Sequence, residues 1–310
     1  MDAPRNPSTA RRLLPLVGVL IGILGIGFVV RTVVVRRREV ADAFSGIDPL
    51  PLVASVLLGL AAMSLIGSLW TSMLRTRGHG APRNRAMSWY FVGQLGKYVP
   101  GGIWPIVGRA ELAVRGGVPR GPAYAATGSS LLSTYAAAPL AAGAGALLDG
   151  RHTTTGATIV VAYVLLWADM GSAGFVHSLA EVITRVTGRE VTVPARAEFF
   201  GMVARHVPAW VLMSVSTSVT AHAFGVNIGV AEMLYVTSIS WLVGFLVPGV
   251  PGGIGVREAV FTALAGPTTG TAVAVSLALV SRVVFMAVDV TGATVSSAVA
   301  GRARHSSAER

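Results

Sequence analysis

Two short stretches of the sequence combine a broken backbone with a charged pair, inside otherwise apolar surroundings. The quartet Pro-Gly-Gly-Ile occupies residues 100–103 and again residues 251–254, one copy in each half of the chain. An arginine and a glutamate follow each quartet: Arg109 with Glu111, and Arg257 with Glu258. A guanidinium group suits a phosphate or a carboxylate, because its N–H donors form a fixed fork. The combination of a break and an arginine therefore indicates an anionic ligand.

A Pro-Gly-Gly break within an apolar segment can lie in only a few environments. Unpaired backbone N–H and C=O groups cannot face lipid, because each would cost several kcal/mol there. We therefore expect both breaks to be buried in protein or to line a wet cavity. The helix that restarts after each break presents free N–H groups and the positive end of its dipole, which favour an anion such as phosphate.

Lys97 strengthens this interpretation, because it is the single lysine among 25 basic residues and lies close before the first break. The predicted lipid- or anion-binding residues are Lys97, Tyr98, Gly101, Gly102, Arg109, Glu111, Gly252, Gly253, Arg257 and Glu258. We expect the two glutamates to orient the two arginines. The alternative is that both quartets form tight turns between spans, with arginine and glutamate as interface anchors.

The composition indicates a membrane protein. Of the 310 residues, 53% are hydrophobic and 13% are charged, and the mean hydropathy is +0.65. A soluble domain usually carries about 25% charged residues. The net charge of +11 comes from arginine clusters between apolar runs, which is typical of cytoplasmic loops and argues against nucleic acid as a partner. Because cysteine and paired histidine spacing are both lacking, the sequence predicts no metal site and no cofactor.

The elements that would position these residues are transmembrane helices. The apolar runs that reach the roughly 18 to 20 residues needed to cross a bilayer cover residues 13–35, 51–74, 122–148, 155–179, 199–224, 230–247 and 270–300. Two interrupted segments, 87–108 and 248–266, are expected to form half-helices or re-entrant hairpins. The prediction is an all-α, polytopic transmembrane bundle of about seven or eight spans, with an internal repeat of the kind found in secondary transporters.

We predict a single transmembrane domain at residues 13–300, between a cytoplasmic tail at 1–12 and a basic tail at 301–310. The loop after the second span carries four arginines, which favours the cytoplasm for this loop and for the N-terminus. The preference for arginine over lysine, with abundant alanine, glycine and valine, is typical of GC-rich bacterial coding. The expected location is therefore the bacterial plasma membrane.

Among the ionisable residues inside the predicted spans, three stand out, because such groups are costly deep in a membrane and are usually paired or functional there. Asp169 lies near the middle of its span, and Arg282 and Asp289 lie two turns apart on one face of the last span. We predict a buried pair between Asp169 and Arg282; a role in binding substrate or protons is the alternative. Aromatic residues near span ends fit an aromatic belt: Trp89, Tyr90, Trp104, Trp210 and Trp241.

The two motif regions resemble a known family. Residues 93–117, GQLGKYVPGGIWPIVGRAELAVRGG, and residues 246–266, LVPGVPGGIGVREAVFTALAG, are similar to the paired signatures of the lysylphosphatidylglycerol synthase transmembrane-region family of flippase-like proteins. The resemblance covers roughly residues 13–300. The first motif departs from the family pattern at Trp104 and Pro105, where members often carry glycine or aspartate.

This resemblance implies lipid movement. In larger members the membrane domain flips an aminoacylated phospholipid that a cytosolic domain has made. Stand-alone members act on other lipids, including polyprenyl-phosphate-linked sugars, often beside glycosyltransferases. No part of the 310 residues resembles the cytosolic domain, so we expect no synthase activity.

Three functions compete at this point. The first is a flippase-like protein that translocates an anionic lipid or lipid-linked sugar, with Lys97, Arg109 and Arg257 holding its phosphate. The second is a non-transporting partner or scaffold for a lipid-dependent glycosyltransferase, which would use the same site. The third is an intramembrane enzyme, which is disfavoured because the sequence shows no nucleophile elbow and no metal spacing. No Walker motif is present either, so we expect a gradient or downhill flow to drive any transport.

Overall fold

The structure is a computed structural model, and it describes residues 23–24, 27–76, 78–99, 104–169, 196–247 and 250–308. All regular secondary structure in these residues is helical, which confirms the predicted all-α bundle. The α-helices are α1 (Arg37–Ser45), α2 (Pro49–Thr76), α3 (Arg83–Gln94), α4 (Trp104–Arg115), α5 (Arg120–Asp149), α6 (Thr153–Asp169), α7 (Arg196–His222), α8 (Val230–Leu246), α9 (Val256–Thr269) and α10 (Thr271–Ala308). Two 3-10 turns, Leu95–Tyr98 and Pro251–Gly253, lie after α3 and before α9.

Several of these helices have the length and composition of transmembrane spans. Within the described ranges, three are long and apolar enough to cross a membrane: Pro49–Thr76, Arg120–Asp149 and Thr271–Ala303. Shorter apolar stretches, Thr153–Leu166 and Val230–Leu246, lie within α6 and α8. All five coincide with predicted spans. The predicted spans at 13–35 and 155–179 fall partly outside the described residues.

The packing of the helices follows a two-fold pattern, which supports the predicted internal repeat. The first unit consists of α2, the broken pair α3–α4, and α5; the second consists of α7, the broken pair α8–α9, and α10. Helix α2 packs against its counterpart α7, α5 packs on α8, and α10 packs on α3. The last helix of each unit thus lies against the broken helix of the other unit, and this arrangement brings the two breaks together.

Close approach of the units depends on small residues. The buried face of α5 consists entirely of alanine, glycine, serine and threonine. Such residues let helix backbones approach closely in lipid, where van der Waals packing drives association. Larger aromatic side chains fill the centre, and Trp70, Tyr90 and Trp210 are almost completely buried.

Candidate anion-binding site

The two broken segments meet inside the bundle. Gly252 has a φ of +54°, a left-handed conformation that glycine adopts without strain. A Cβ atom at this position would lie 3.4 Å from the carbonyl oxygen of Lys97 and 3.3 Å from Nη2 of Arg282. A Cβ atom at Gly253 would lie 2.9 Å from the Cα of Gly244 in α8, so these two backbones are also in close contact. The chain segments next to the two breaks therefore lie against each other and are surrounded by protein, as the sequence predicts for a break in an apolar segment.

Part of each broken segment lies outside the described residues. Residues 100–103 and 248–249 lie outside the described ranges, and these include the predicted site residues Gly101 and Gly102. The remaining predicted site residues are all described, and they flank the two gaps.

Arg257 is held against aromatic rings. Its guanidinium carbon lies 4.0 Å from the centroid of the Trp241 ring and 5.8 Å from that of Phe285. Only 8% of Arg257 is exposed. A Cβ atom at Gly244 would come within 3.1 Å of the Cβ of Arg257, so glycine allows this close approach. The cation is thus buried on a π face, which attracts it electrostatically.

Arg109 has a matching environment in the first unit. Its guanidinium carbon lies 4.4 Å from the ring centroid of Tyr90 and 5.7 Å from that of Trp70. Nη2 of Arg109 donates a hydrogen bond of 3.3 Å to Oε1 of Gln94. Only 4% of Arg109 is exposed. A Cβ atom at Gly93 would lie 2.9 Å from the Cα of Arg109, so this approach also requires glycine.

The supports of the two arginines share a sequence pattern. Residues 90–93 read Tyr-Phe-Val-Gly, and residues 241–244 read Trp-Leu-Val-Gly. In each tetrad the aromatic ring faces the guanidinium group and the glycine lies against the backbone or Cβ of the arginine. The prediction that Tyr90 and Trp241 belong to an aromatic belt is wrong, because both rings face these buried arginines. The repeated tetrad is the sequence signal that identifies them.

Tyr135 of α5 connects the surroundings of the two arginines. Its ring stacks on Phe245 of α8, with 3.6 Å between the ring centroids. Helix α5 packs both on α4, which carries Arg109, and on α8, which carries the Trp241 ring that faces Arg257. The surroundings of the two arginines are therefore joined through one helix.

Lys97 and Tyr98, which precede the first break, both bind Asp289 of α10. The Nζ atom of Lys97 lies 2.5 Å from Oδ2 of Asp289, and the hydroxyl of Tyr98 donates a hydrogen bond of 2.5 Å to the same oxygen. The Asp289 side chain is fully buried, and within the described part of the chain its Oδ1 atom has no hydrogen-bond partner. Asp289 thus holds both groups with a single oxygen.

Helix α10 also holds the second break. Arg282 lies two turns before Asp289 and donates a hydrogen bond of 2.6 Å to Oε1 of Glu258. Arg282 and Asp289 therefore face the site from one side of α10, as their spacing predicts. The side chain of Asp169, the predicted partner of Arg282, lies outside the described residues, so that pair stays a prediction.

Glu258 does not orient Arg257, so this prediction is wrong. Its Oε2 atom accepts a hydrogen bond of 2.7 Å from the backbone N–H of Gly255 and caps the start of α9. The Oε1 atom of Glu258 accepts a hydrogen bond from Nη1 of Arg282. The free N–H groups of a helix start need partners, and this requirement draws the glutamate toward Gly255. One N–H group at the start of α9 therefore already has a hydrogen-bond acceptor within the chain.

Glu111 does not orient Arg109 either. Both of its carboxylate oxygens accept hydrogen bonds from Nη2 of Arg120, at 2.6 and 2.8 Å, and the hydroxyl of Tyr124 donates another at 2.8 Å. Glu111 follows Arg109 by two positions on α4, and side chains with this spacing do not face each other on a helix. Glu111 instead connects α4 to the start of α5.

The charges around the two breaks do not balance. We call Lys97, Arg109, Arg257, Arg282, Glu258 and Asp289 the cationic cluster; it holds four basic and two acidic side chains. Within the described residues, the two carboxylates pair with Lys97 and Arg282, which leaves Arg109 and Arg257 on aromatic rings without an acidic partner. The donors Nε of Arg109 and Nε1 of Trp241 are buried and form no hydrogen bond to described atoms. Because buried charges are costly unless compensated, such a cluster favours an anion.

Comparison of the chain with family models gives a match over most of its length. A family model described as Lysylphosphatidylglycerol synthase TM region matches residues 16–291 of the chain. The matched range includes both units as far as Asp289 of α10, and thus the whole cationic cluster. No curated protein gives a significant match.

Proposed function

This chain belongs to the Lysylphosphatidylglycerol synthase TM region family, and on that premise we propose that it binds and translocates an anionic or polyprenyl-phosphate-linked lipid. It is a multi-pass membrane protein. The observation that carries the proposal is the pair of buried arginines, Arg109 and Arg257, which lack an acidic partner among the described residues. We place the protein in the bacterial plasma membrane with a cytoplasmic N-terminus, as the distribution of arginines favours.

The two arginines bind the phosphate oxygens of the lipid. Each guanidinium group is held from behind by an aromatic ring, Tyr90 or Trp241, so its N–H edge stays available to a ligand. Little side-chain entropy is lost on binding, because both groups are already buried and fixed. The low dielectric of the interior strengthens the attraction between guanidinium and phosphate.

Asp289 serves as an internal anion while the lipid is absent. It holds Lys97 and Tyr98 with one carboxylate oxygen, in contacts that a phosphate oxygen can replace. When phosphate enters, Lys97 and Tyr98 can turn to it from Asp289, and the 3-10 turn Leu95–Tyr98 is released from α10. Binding of the lipid headgroup is thereby coupled to a change in contact between the two units.

A transfer assay with matched variants tests this function. Purified protein is placed in phosphatidylcholine vesicles with a fluorescent phosphatidylglycerol, and the movement of the label between leaflets is timed by chemical quenching from outside. We expect Arg257→Gln to slow transfer by roughly tenfold or more, because removing one partner of a buried charged contact costs at least about 2 kcal/mol. Arg302→Gln is the control, because Arg302 is an exposed arginine near the end of α10.

The outcomes separate the competing functions. Transfer that is absent in the unmutated protein, together with tight binding of phosphatidylglycerol, would support the scaffold interpretation. Transfer at the unmutated rate in Arg257→Gln would reject the assignment of the site. Chemical change of the lipid headgroup during the assay would indicate an enzyme.

A further inference from the structure

An apolar groove lies on the outer side of the first broken helix pair. It encloses about 350 Å³ between α3 and α4, close to the lower end of the roughly 300–1,000 Å³ range of ligand pockets. Gly93, Gly96 and Gly108 form its floor, and their lack of side chains lets the first broken segment pack closely on α4 there. Its lining is mostly apolar, which suits a hydrocarbon chain.

The walls of the groove face away from the protein core. Val92, Val99 and Trp104 line it, and they are 36%, 47% and 44% exposed. In a membrane protein, large apolar side chains with this exposure meet lipid. The groove is therefore accessible to a lipid from the membrane without any opening of the bundle.

One end of the groove is cationic. Arg115, at the C-terminal end of α4, lines it and is exposed, and it forms no ion pair with a described residue. Beside it, Glu111 also lines the groove and is bound by Arg120, whose side chain is 51% exposed. The two arginines exceed the one carboxylate, so this end attracts a negative headgroup.

We propose that this groove holds one hydrocarbon chain of an anionic lipid, with the headgroup against Arg115 and Arg120. The chain then lies along the glycine floor from Gly108 toward Gly96, near the first break. Gly93, which lines the groove, also packs against the backbone of Arg109, so the groove lies close to the cationic cluster. The proposal deepens the proposed function, on which it rests for the class of lipid, and gives the lipid a site before its phosphate reaches Arg109.

Photolabelling tests the groove without measuring transport. Full-length protein in phosphatidylcholine vesicles is exposed to phosphatidylglycerol that carries a diazirine at the end of one acyl chain, and labelled peptides are mapped by mass spectrometry. A phosphatidylcholine probe with the same chain is run in parallel. We expect phosphatidylglycerol to label residues 92–112 in preference to phosphatidylcholine. Arg115→Gln should reduce this preference by about fivefold, because it removes one cation near the headgroup.

A matched pair of glycine variants shows whether the chain lies in the groove. Gly108→Phe fills the space, and a Cβ atom there lies 3.8 Å from Gly93, which is an ordinary contact. Gly201→Phe is the control, because Gly201 lies on α7, where a Cβ atom would meet no other atom within 4 Å. Labelling of residues 92–112 should be lost only in Gly108→Phe. Val92→Trp narrows the same groove and replaces Gly108→Phe if that variant does not fold.

Three outcomes decide the two proposals separately. Equal labelling by the two lipids, or labelling unaffected by Gly108→Phe and Val92→Trp, would mean that ordinary surrounding lipid occupies the surface, and would overturn the groove proposal. Selective labelling that Gly108→Phe removes supports it. Selective labelling in a protein that transfers no lipid would keep the groove and reject translocation as the function.

Discussion

The Nζ atom of Lys97 and the Oδ2 atom of Asp289 lie 2.5 Å apart and belong to different units of the bundle. Lys97 precedes the first break, and Asp289 lies on the last helix of the second unit. The contact therefore joins the two units at the point where their breaks meet. Its energetic importance can be measured, because both partners can be replaced singly and together.

Asp289→Asn should destabilise the protein by roughly 3 kcal/mol, because removing one partner of a buried pair leaves an uncompensated charge. The double variant Lys97→Met with Asp289→Asn should recover much of this loss. Thermal unfolding in detergent, followed by tryptophan fluorescence, measures both. Asp42→Asn is the control, since Asp42 is exposed on α1. Losses that simply add in the double variant would show that the two residues are not coupled.

The ring of Trp241 should contribute to anion binding through Arg257. Trp241→Leu removes the π face 4.0 Å from the guanidinium carbon, and a desolvated cation–π contact is worth about 2 kcal/mol. We expect binding of a short-chain phosphatidylglycerol, measured by titration calorimetry in detergent, to weaken by roughly tenfold or more. Trp241→Phe keeps an aromatic face and should lose less. Equal losses in the two variants would contradict a role for the ring.

The glycines behind the two arginines should differ in their tolerance of a methyl group. Gly93→Ala places Cβ 2.9 Å from the Cα of Arg109, a backbone atom that cannot move easily, and should cost roughly 1–3 kcal/mol of stability. Gly244→Ala comes within 3.1 Å of the Cβ of Arg257 and should cost less. Gly201→Ala meets no atom within 4 Å and should be neutral or stabilising in its helix. The order of unfolding temperatures tests this series, and a Gly93→Ala protein as stable as Gly201→Ala would refute it.

The two glutamates after the breaks should respond differently to neutralisation. Glu258→Gln weakens the cap of α9 and leaves Arg282, whose side chain is 16% exposed, without its carboxylate. The expected loss is roughly 3 kcal/mol. Glu111→Gln removes a partly exposed pair with Arg120 and should cost much less, because solvent screens such pairs. Both values come from unfolding in detergent, and a larger loss for Glu111→Gln would reverse the assignment of roles.

The sequence is sufficient to predict the architecture of this bundle, because length and hydropathy constrain transmembrane helices strongly. The predicted span at 122–148 differs from α5 (Arg120–Asp149) only at its ends. The shielding of the two breaks from lipid is also predictable, because a Pro-Gly-Gly break in apolar sequence must be surrounded by protein or water. The two-fold pattern of the units is predicted by the repeated quartet.

The partners of individual side chains are less predictable. Adjacent arginine and glutamate residues suggest a pair, but Glu258 caps its own helix and Glu111 reaches across to Arg120. The partner that each glutamate binds depends on how the neighbouring helices are placed, and the sequence alone does not specify this placement. The supporting rings of Tyr90 and Trp241 were predictable in principle, since each begins a tetrad that ends in Val-Gly.

The matching packing of the two units has an evolutionary consequence. Two copies of a half-length chain, assembled as a symmetric dimer, would form the same contacts, which is the arrangement that gene duplication and fusion would produce. The two units differ where each last helix meets the opposite unit: α5 brings Tyr135 to Phe245, whereas α10 brings Asp289 to Lys97. A phenol in one contact and a carboxylate in the other make the two junctions between the units chemically unequal, although equivalent helices form them.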